Sequence, residues 1–197
     1  KMQIEDVEVI LLKVSGQDKP GVTAGLTSIL ATYDAIILDI GQADIHDTLS
    51  LGILFEIKAG SSSGPVLKDL LFKAYELGVK VKFIPISIPD YEIWVKGQRK
   101  QRYTINVLGE TLTAVQLAAV TKILSNQNLN IDAIKRLTGR VSILEKEEFP
   151  RSCIQLSVTG TIVDKTFMTA SFMEISRTLD VDISFQEDNM YRRNRRL

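Results

Sequence analysis

The sequence predicts an α+β fold made of two tandem copies of one six-element unit, each an antiparallel sheet with helices on one face. Three observations carry this reading. Strand-like and helix-like hydrophobic patterns follow the order β-α-β-β-α-β, and that order then repeats. Residues match between the halves: Val14-Ser15-Gly16 falls on Val107-Leu108-Gly109, and the same offset places Leu38-Asp39 on Ile131-Asp132, Val22 on Val115 and Leu30 on Ile123. A length of 197 residues suits two small domains.

The elements follow in order. Val9-Ile10-Leu11-Leu12-Lys13-Val14 is β-branched and apolar, which gives a strand over 8–15. Val22, Leu26, Ile29, Leu30 and Tyr33 recur at helical spacing, which gives a helix over 21–33. Strands at 36–46 and 49–58 flank a turn, Asp44-Ile45-His46-Asp47-Thr48. Ser61-Ser62-Ser63-Gly64-Pro65 reads as a flexible loop ending in a proline suited to a helix start. Val66, Leu67, Leu70, Leu71, Ala74 and Leu77 then mark the core face of a helix over 65–78, and Gly78 stands where a helix stop favours glycine. A strand over 80–88 contains Pro85, which removes a ladder donor and makes the strand an edge or irregular there. Residues 89–100 read as a short connector, with Trp94 packing it against one domain or between both.

The second copy runs as strand 102–109, helix 113–126, strands 129–138 and 152–160, helix 164–179 and strand 181–187. Phe167, Met168, Ala170, Ser171, Ile175 and Leu179 mark the core face of its second helix. Glu145-Lys146-Glu147-Glu148 reads as a solvated hairpin tip, and Cys153 as a small strand residue. Each half is therefore the ferredoxin-like arrangement. The expected boundaries are a first domain at 1–89, a linker at 90–100, a second domain at 101–188 and a basic tail at 189–197 with Arg192, Arg193, Arg195 and Arg196.

Composition excludes several function classes. Lys+Arg and Asp+Glu are both 24, so the balanced charge gives no electrostatic case for nucleic acid or a membrane surface. No run approaches the about 18 apolar residues of a membrane span. One cysteine cannot form an internal disulfide, which suits a reducing cytoplasm. His46 is the only histidine; with Asp44 and Asp47 it mimics a metal cluster, but a turn holds few convergent ligands, so no metal is expected. No nucleophile elbow, Walker loop, dinucleotide fingerprint or Asp-x-Asp-x-Thr motif occurs, so no catalytic residue is assigned.

The richest stretch is Gly16-Gln17-Asp18-Lys19-Pro20-Gly21-Val22-Thr23, between the first strand and the first helix. Uncapped N–H groups at a helix mouth can hold a small carboxylate, and an adjacent acid can hold the same ligand's ammonium. That describes a receptor for an amino acid. A plainer reading stands beside it: Pro20 and Gly21 shape the turn, and Asp18 caps the helix.

The repeated unit with this loop resembles the ACT domain, a regulatory amino-acid-binding module. Over essentially the whole chain it is similar to the N-terminal region of long bacterial phosphoserine phosphatases. The likeness rests on the Gly16–Thr23 loop, on Thr32 to Ala43, on Leu49-Ser50-Leu51-Gly52-Ile53-Leu54, on Leu129 to Leu137, and on the ending from Ser184 to Leu197. The resemblance implies ligand contacts from Gly16, Asp18, Lys19, Pro20, Gly21, Val22 and Thr23, with Asp18 on the ammonium and the 20–23 backbone on the carboxylate. It implies serine or a glycine-like amino acid as ligand, a homodimer through the ACT domains, and a further catalytic domain with Mg²⁺ beyond Leu197. The start at Lys1 rather than Met fits a piece of a longer protein. The second copy's turn, Gly109-Glu110-Thr111-Leu112-Thr113-Ala114, lacks Pro-Gly and an acid aligned with Asp18, so only the first copy is expected to bind. Two alternatives remain open: a stand-alone tandem regulator resembling the glycine-cleavage repressors, and a pure dimerisation scaffold.

Overall fold

The computed structural model describes residues 7–58, 63–145 and 151–188. Ser61 and Ser62, Lys146 to Glu148 and the basic tail lie outside the described residues. The chain forms two compact units, one running to Gln98 and the other starting at Arg99. The first contains β1 (Val7–Gln17), α1 (Val22–Thr32), β2 (Ile36–Ile45), β3 (Thr48–Lys58), α2 (Ser63–Leu77), β4 (Lys80–Ile86) and α3 (Ile88–Gly97). The second contains β5 (Arg102–Gly109), α4 (Ala114–Asn126), β6 (Asn130–Arg136), β7 (Ser152–Thr159), α5 (Lys165–Leu179) and β8 (Asp182–Glu187). Each unit builds one four-stranded antiparallel sheet, in the orders β2-β3-β1-β4 and β6-β7-β5-β8. This is the expected tandem ferredoxin-like α+β fold, and Pro85 sits on an edge strand as its missing N–H requires.

Strand alternation decides the core. Ile10, Leu12 and Val14 of β1 share a face with Leu51, Ile53 and Phe55 of β3. They meet Val22, Leu26 and Leu30 of α1 and Val66, Leu70 and Ala74 of α2. In the second unit Ile105, Val107, Leu156 and Val158 meet Val120 and Leu124 of α4 and Met168, Phe172 and Ile175 of α5. Three core expectations are corrected here. Leu71 and Phe167 are 52% and 61% exposed, and Ala170 is exposed as well. The buried stripes run through 66, 70, 74 and through 168, 172, 175, so Leu71 and Phe167 fall on a neighbouring ridge, and Phe172 takes the place in the core.

The helix stops share one device. After α1, α2 and α4, Asp34, Gly78 and Asn128 adopt left-handed backbone with φ of 51°, 70° and 58°. The next N–H, of Ala35, Val79 and Leu129, then donates to the carbonyl of Leu30, Ala74 and Leu124 at 3.1, 3.0 and 3.0 Å. These bonds satisfy carbonyls that a helix end leaves open. Val79 and Leu129 are buried straight after the turn. Val79 also explains Gly16: a Cβ there would lie 3.1 Å from Val79 Cγ1, and a Cβ on Gly109 would meet Val181 at 3.2 Å in the same way.

The stretch read as a connector is instead largely helical. Ser87 caps α3, its Oγ accepting the Asp90 N–H at 3.2 Å, and Pro89 lies in the first turn. Asp90 in the first turn and Lys96 in the last oppose the helix dipole favourably. α3 packs on β1, on the face turned away from α1 and α2. Val9 and Leu54 point to that face and are only 4% and 8% exposed. Tyr91 lies near Glu56 and Asp39, and burial first, then the charges of Glu56, Glu92 and Asp39, push its phenol up. Trp94 leans on Tyr91, with ring centroids 5.9 Å apart. The second sheet's open face carries Thr104, Asn106, Gln155, Ser157, Ser184 and Gln186, and Gln155 donates to Asn106 at 3.3 Å.

Phe55 is fully buried, whereas Leu71 is half exposed. Phe55→Ala is therefore expected to lower the unfolding free energy by about 3–5 kcal/mol. Leu71→Ala, measured at protein concentrations too low for self-association, is expected to stay within about 0.5 kcal/mol. Urea denaturation of both variants checks the contrast.

Candidate functional site

β1 is a central strand, so its end is fixed on both sides. Gly16 stands opposite Leu49, Gln17 opposite Thr48, and Ser15 opposite Lys80. The chain must climb from this sheet onto α1 within Asp18–Gly21. The Asp18 N–H donates to the Asp47 carbonyl at 2.7 Å and ties the loop to the β2–β3 turn. Gly21 is the N-cap, with φ 95° and ψ −7°, a left-handed conformation that favours glycine. Its carbonyl accepts the Gly25 N–H at 2.8 Å.

No side chain caps α1. Asp18 is thus not the helix cap, which removes one of its two sequence readings. The first-turn N–H groups, those of Val22 and Thr23 among them, lack the side-chain acceptor that a Ser, Thr, Asn or Asp cap supplies. Val22 itself is a core residue that anchors the helix start. Lys19 reaches the stop of α2, its Nζ 3.8 Å from where a Cβ on Gly78 would stand. A cation there suits the negative end of the helix dipole.

Two residues of the edge strand β2 join the loop. The Thr23 Oγ1 donates to the Gln42 Oε1 at 2.7 Å. Asp44 lies two positions on, on the same side of the strand, and meets Asp18. Loss of water around it, then its hydrogen bond to Asp18 and that residue's charge, push the Asp44 carboxyl up from its ordinary value. The site therefore gathers Asp18, Asp44, Thr23 and Gln42 around an open helix mouth, while Gly16, Pro20 and Gly21 shape the loop. Sequence reasoning weighed Asp44 only with His46 and Asp47, and it missed Gln42. The available signal was the period-2 alternation of β2, which places 42 and 44 on one side.

His46 goes elsewhere. It occupies the turn at φ 58°, with Nδ1 2.7 Å from Asp47 Oδ1, and this exposed pair holds the Asp47 carboxyl below its ordinary value. Among the described residues no three His, Cys, Asp or Glu side chains gather as a metal site.

The corresponding mouth in the second unit is filled by its own side chains. Thr113 Oγ1 accepts the Gln116 N–H at 3.3 Å, and Gln116 Oε1 accepts the Thr113 N–H at 2.9 Å, a complete capping box. Gln116 Nε2 also donates to the Leu179 carbonyl at the end of α5, at 2.8 Å.

Comparison with known proteins agrees with this architecture. A family model described as ACT domain matches residues 8–84, and a second ACT-domain model matches residues 102–186. The chain belongs to the ACT-domain proteins, as a tandem pair. A phosphoserine phosphatase of Streptomyces coelicolor is 29% identical over 195 residues, covering 99% of this chain and 44% of that protein. The phosphoserine phosphatase SerB2 of Mycobacterium tuberculosis is 29% identical over 161 residues, covering 79% of this chain and 38% of its own length. The chain thus spans less than half the length of these curated relatives. A solved structure described as a putative glycine cleavage system transcriptional repressor superposes with a TM-score of 0.60 at 13% identity, covering 92% of this chain and 98% of that one. No helix among the described residues is long and apolar enough to cross a membrane.

The raised Asp44 carboxyl sets a sign for pH. Its favourable state is the protonated one, present in acid and lost as pH rises through the raised value. Asp44→Asn is expected to leave the Tm unchanged near about pH 3 and to raise it relative to the parent by about pH 7. Scanning calorimetry across that range checks the trend; an equal Tm at both ends would remove the Asp18–Asp44 contact.

Proposed function

We propose that the first unit is the receptor for a small amino acid, serine or a glycine-like ligand, and that the chain is the regulatory part of a phosphoserine phosphatase. The observation that carries this reading is the open mouth of α1 beside two carboxylates. The ligand carboxylate takes the N–H groups of the first turn, and its ammonium lies between Asp18 and Asp44. Gln42 and Thr23 flank the side-chain end. The filled mouth of α4 supports one receptor per chain.

The attached activity in this reading is the hydrolysis of phosphoserine to serine, the last step of serine synthesis. It belongs to a further domain, and so does the Mg²⁺ that such chemistry uses. A ligand acts on that domain only through different affinities for two arrangements of the protein. The cytoplasm is the compartment, in keeping with a single unpaired cysteine. The exposed edge of β2, with Ile36, Ile37, Ile40 and Ile45, suits pairing with a second copy. A second reading, a stand-alone regulator acting by protein contact, draws on the two-unit architecture shared with the glycine-cleavage neighbour over 98% of that chain.

Titration calorimetry with serine and with glycine tests the receptor. Saturable binding at one ligand per chain is expected, and Asp18→Ala is expected to weaken it at least about tenfold, since charge-assisted contacts are the strong ones. Neither heat nor thermal stabilisation with either amino acid would sink this reading.

A further inference from the structure

α2 carries a second apolar stripe besides the one it buries. Leu67, Leu71 and Tyr75 form one ridge, and Lys68, Phe72 and Glu76 form the next, at the four-residue spacing that aligns side chains along a helix. Gly64 opens one end. Leu71, Phe72 and Tyr75 are large exposed hydrophobics, and most of this surface lines a groove of about 630 Å³. Lys68 lines the groove, its Nζ 5.8 Å from the Phe72 ring centroid, and Glu76 follows Tyr75 just outside the lining, on the ridge of Lys68 and Phe72. Glu76 pairs with Lys73 at 3.0 Å, an exposed contact that solvent weakens.

The second unit presents a matching shape. A tight turn joins β2 to β3, but the chain makes a long excursion between β6 and β7. On it, Ile143 and Leu144 are 94% and 93% exposed, and Val141 is exposed as well. This apolar tip has a charge at each end, Arg140 and Glu145. The signs are complementary to those of Lys68 and Glu76. Lengths agree too: Lys68 to Glu76 spans about 12 Å of helix. Arg140 to Glu145 would reach about 17 Å if extended. A bend shortens it, because Ser142 Oγ accepts the N–H groups of Leu144 and Glu145 at 3.2 and 2.9 Å.

We propose that the tip Val141 to Leu144 of one copy lies in the α2 groove of a second copy, with Glu145 on Lys68 and Arg140 on Glu76. Each chain offers one tip and one groove, and a pair of chains related by a twofold axis would engage both surfaces on both copies. This contact is separate from the β2 edge and from the amino-acid site. It buries apolar side chains that otherwise face water.

Cross-linking between two differently tagged chains tests it, both carrying Cys153→Ser. One has Leu71→Cys and the other Leu144→Cys. On oxidation the mixed disulfide is expected to exceed either homodisulfide by about tenfold, the preference that a 1.4 kcal/mol difference produces. Lys68→Glu in the first chain is expected to lower the yield several-fold, and Glu145→Lys in the second to restore it. Equal yields of mixed and homodisulfide would overturn the proposal, and so would indifference to the charge reversal. A single chain carrying both cysteines that links to itself at high dilution, with no intermolecular product, would also overturn it by placing the contact within one chain. Circular dichroism confirms that each variant is folded, and an unfolded variant is replaced by Leu71→Ser or Leu144→Ser in competition with the mixed disulfide.

Discussion

The hydrogen-bonding of β1 on both of its edges is the constraint from which most of this molecule follows. A strand held by β3 on one side and β4 on the other cannot shift its register without breaking two ladders. Its end is therefore a fixed point, and the helix that leaves it starts at a fixed place above the sheet. Gly16 is needed because Val79, arriving from the stop of α2, packs against that end. Gly21 is needed because the chain turns with a left-handed residue to enter α1. The loop between them is short, and a backbone bond to Asp47 ties it down. That bond holds Asp18 where it meets Asp44 of β2.

The two units share this frame and spend it differently. In the first, no side chain occupies the start of α1, and two carboxylates lie beside it. In the second, Thr113 and Gln116 satisfy the corresponding helix end, and Gln116 also reaches the carbonyl end of α5. One arrangement leaves polar groups available, and the other consumes them in stability. The open faces of the sheets diverge as well. Apolar Val9 and Leu54 on the first sheet lie on the face where α3 packs, while the corresponding face of the second is polar. A duplicated topology thus supports two different surfaces because alternation lets one face of a strand change while the core face stays apolar.

The fold was largely legible in the sequence because period and punctuation agreed. The strands and helices of both copies lie within a few residues of their expected places, and the αL stops at Gly78 and Asn128 coincide with residues that tolerate that backbone. The misses have physical reasons. α3 was hidden because its apolar residues form no long stripe, although Ser87 with Pro89 and Asp90 is a helix-start signature. Leu71 and Phe167 looked like core because neighbouring ridges of a helix are equally compatible with a broad apolar pattern, and only the sheet decides which ridge is buried. Half of the candidate site was readable from one loop. The other half was not, because Gln42 and Asp44 reach it from an edge strand, and that meeting depends on the bulge and register that set β2 against β3.

The covering of only one open face also grades how water reaches the backbone. Among the described residues of its own unit, β5 has no helix packed across its polar face. To approach β1 beneath α3 solvent must first lift a helix. Amide hydrogen exchange should therefore separate two sheets of identical strand order, with the most slowly exchanging protons gathered in β1 and β3. The halves share one topology, and a single ten-residue helix is expected to give them different rates of opening.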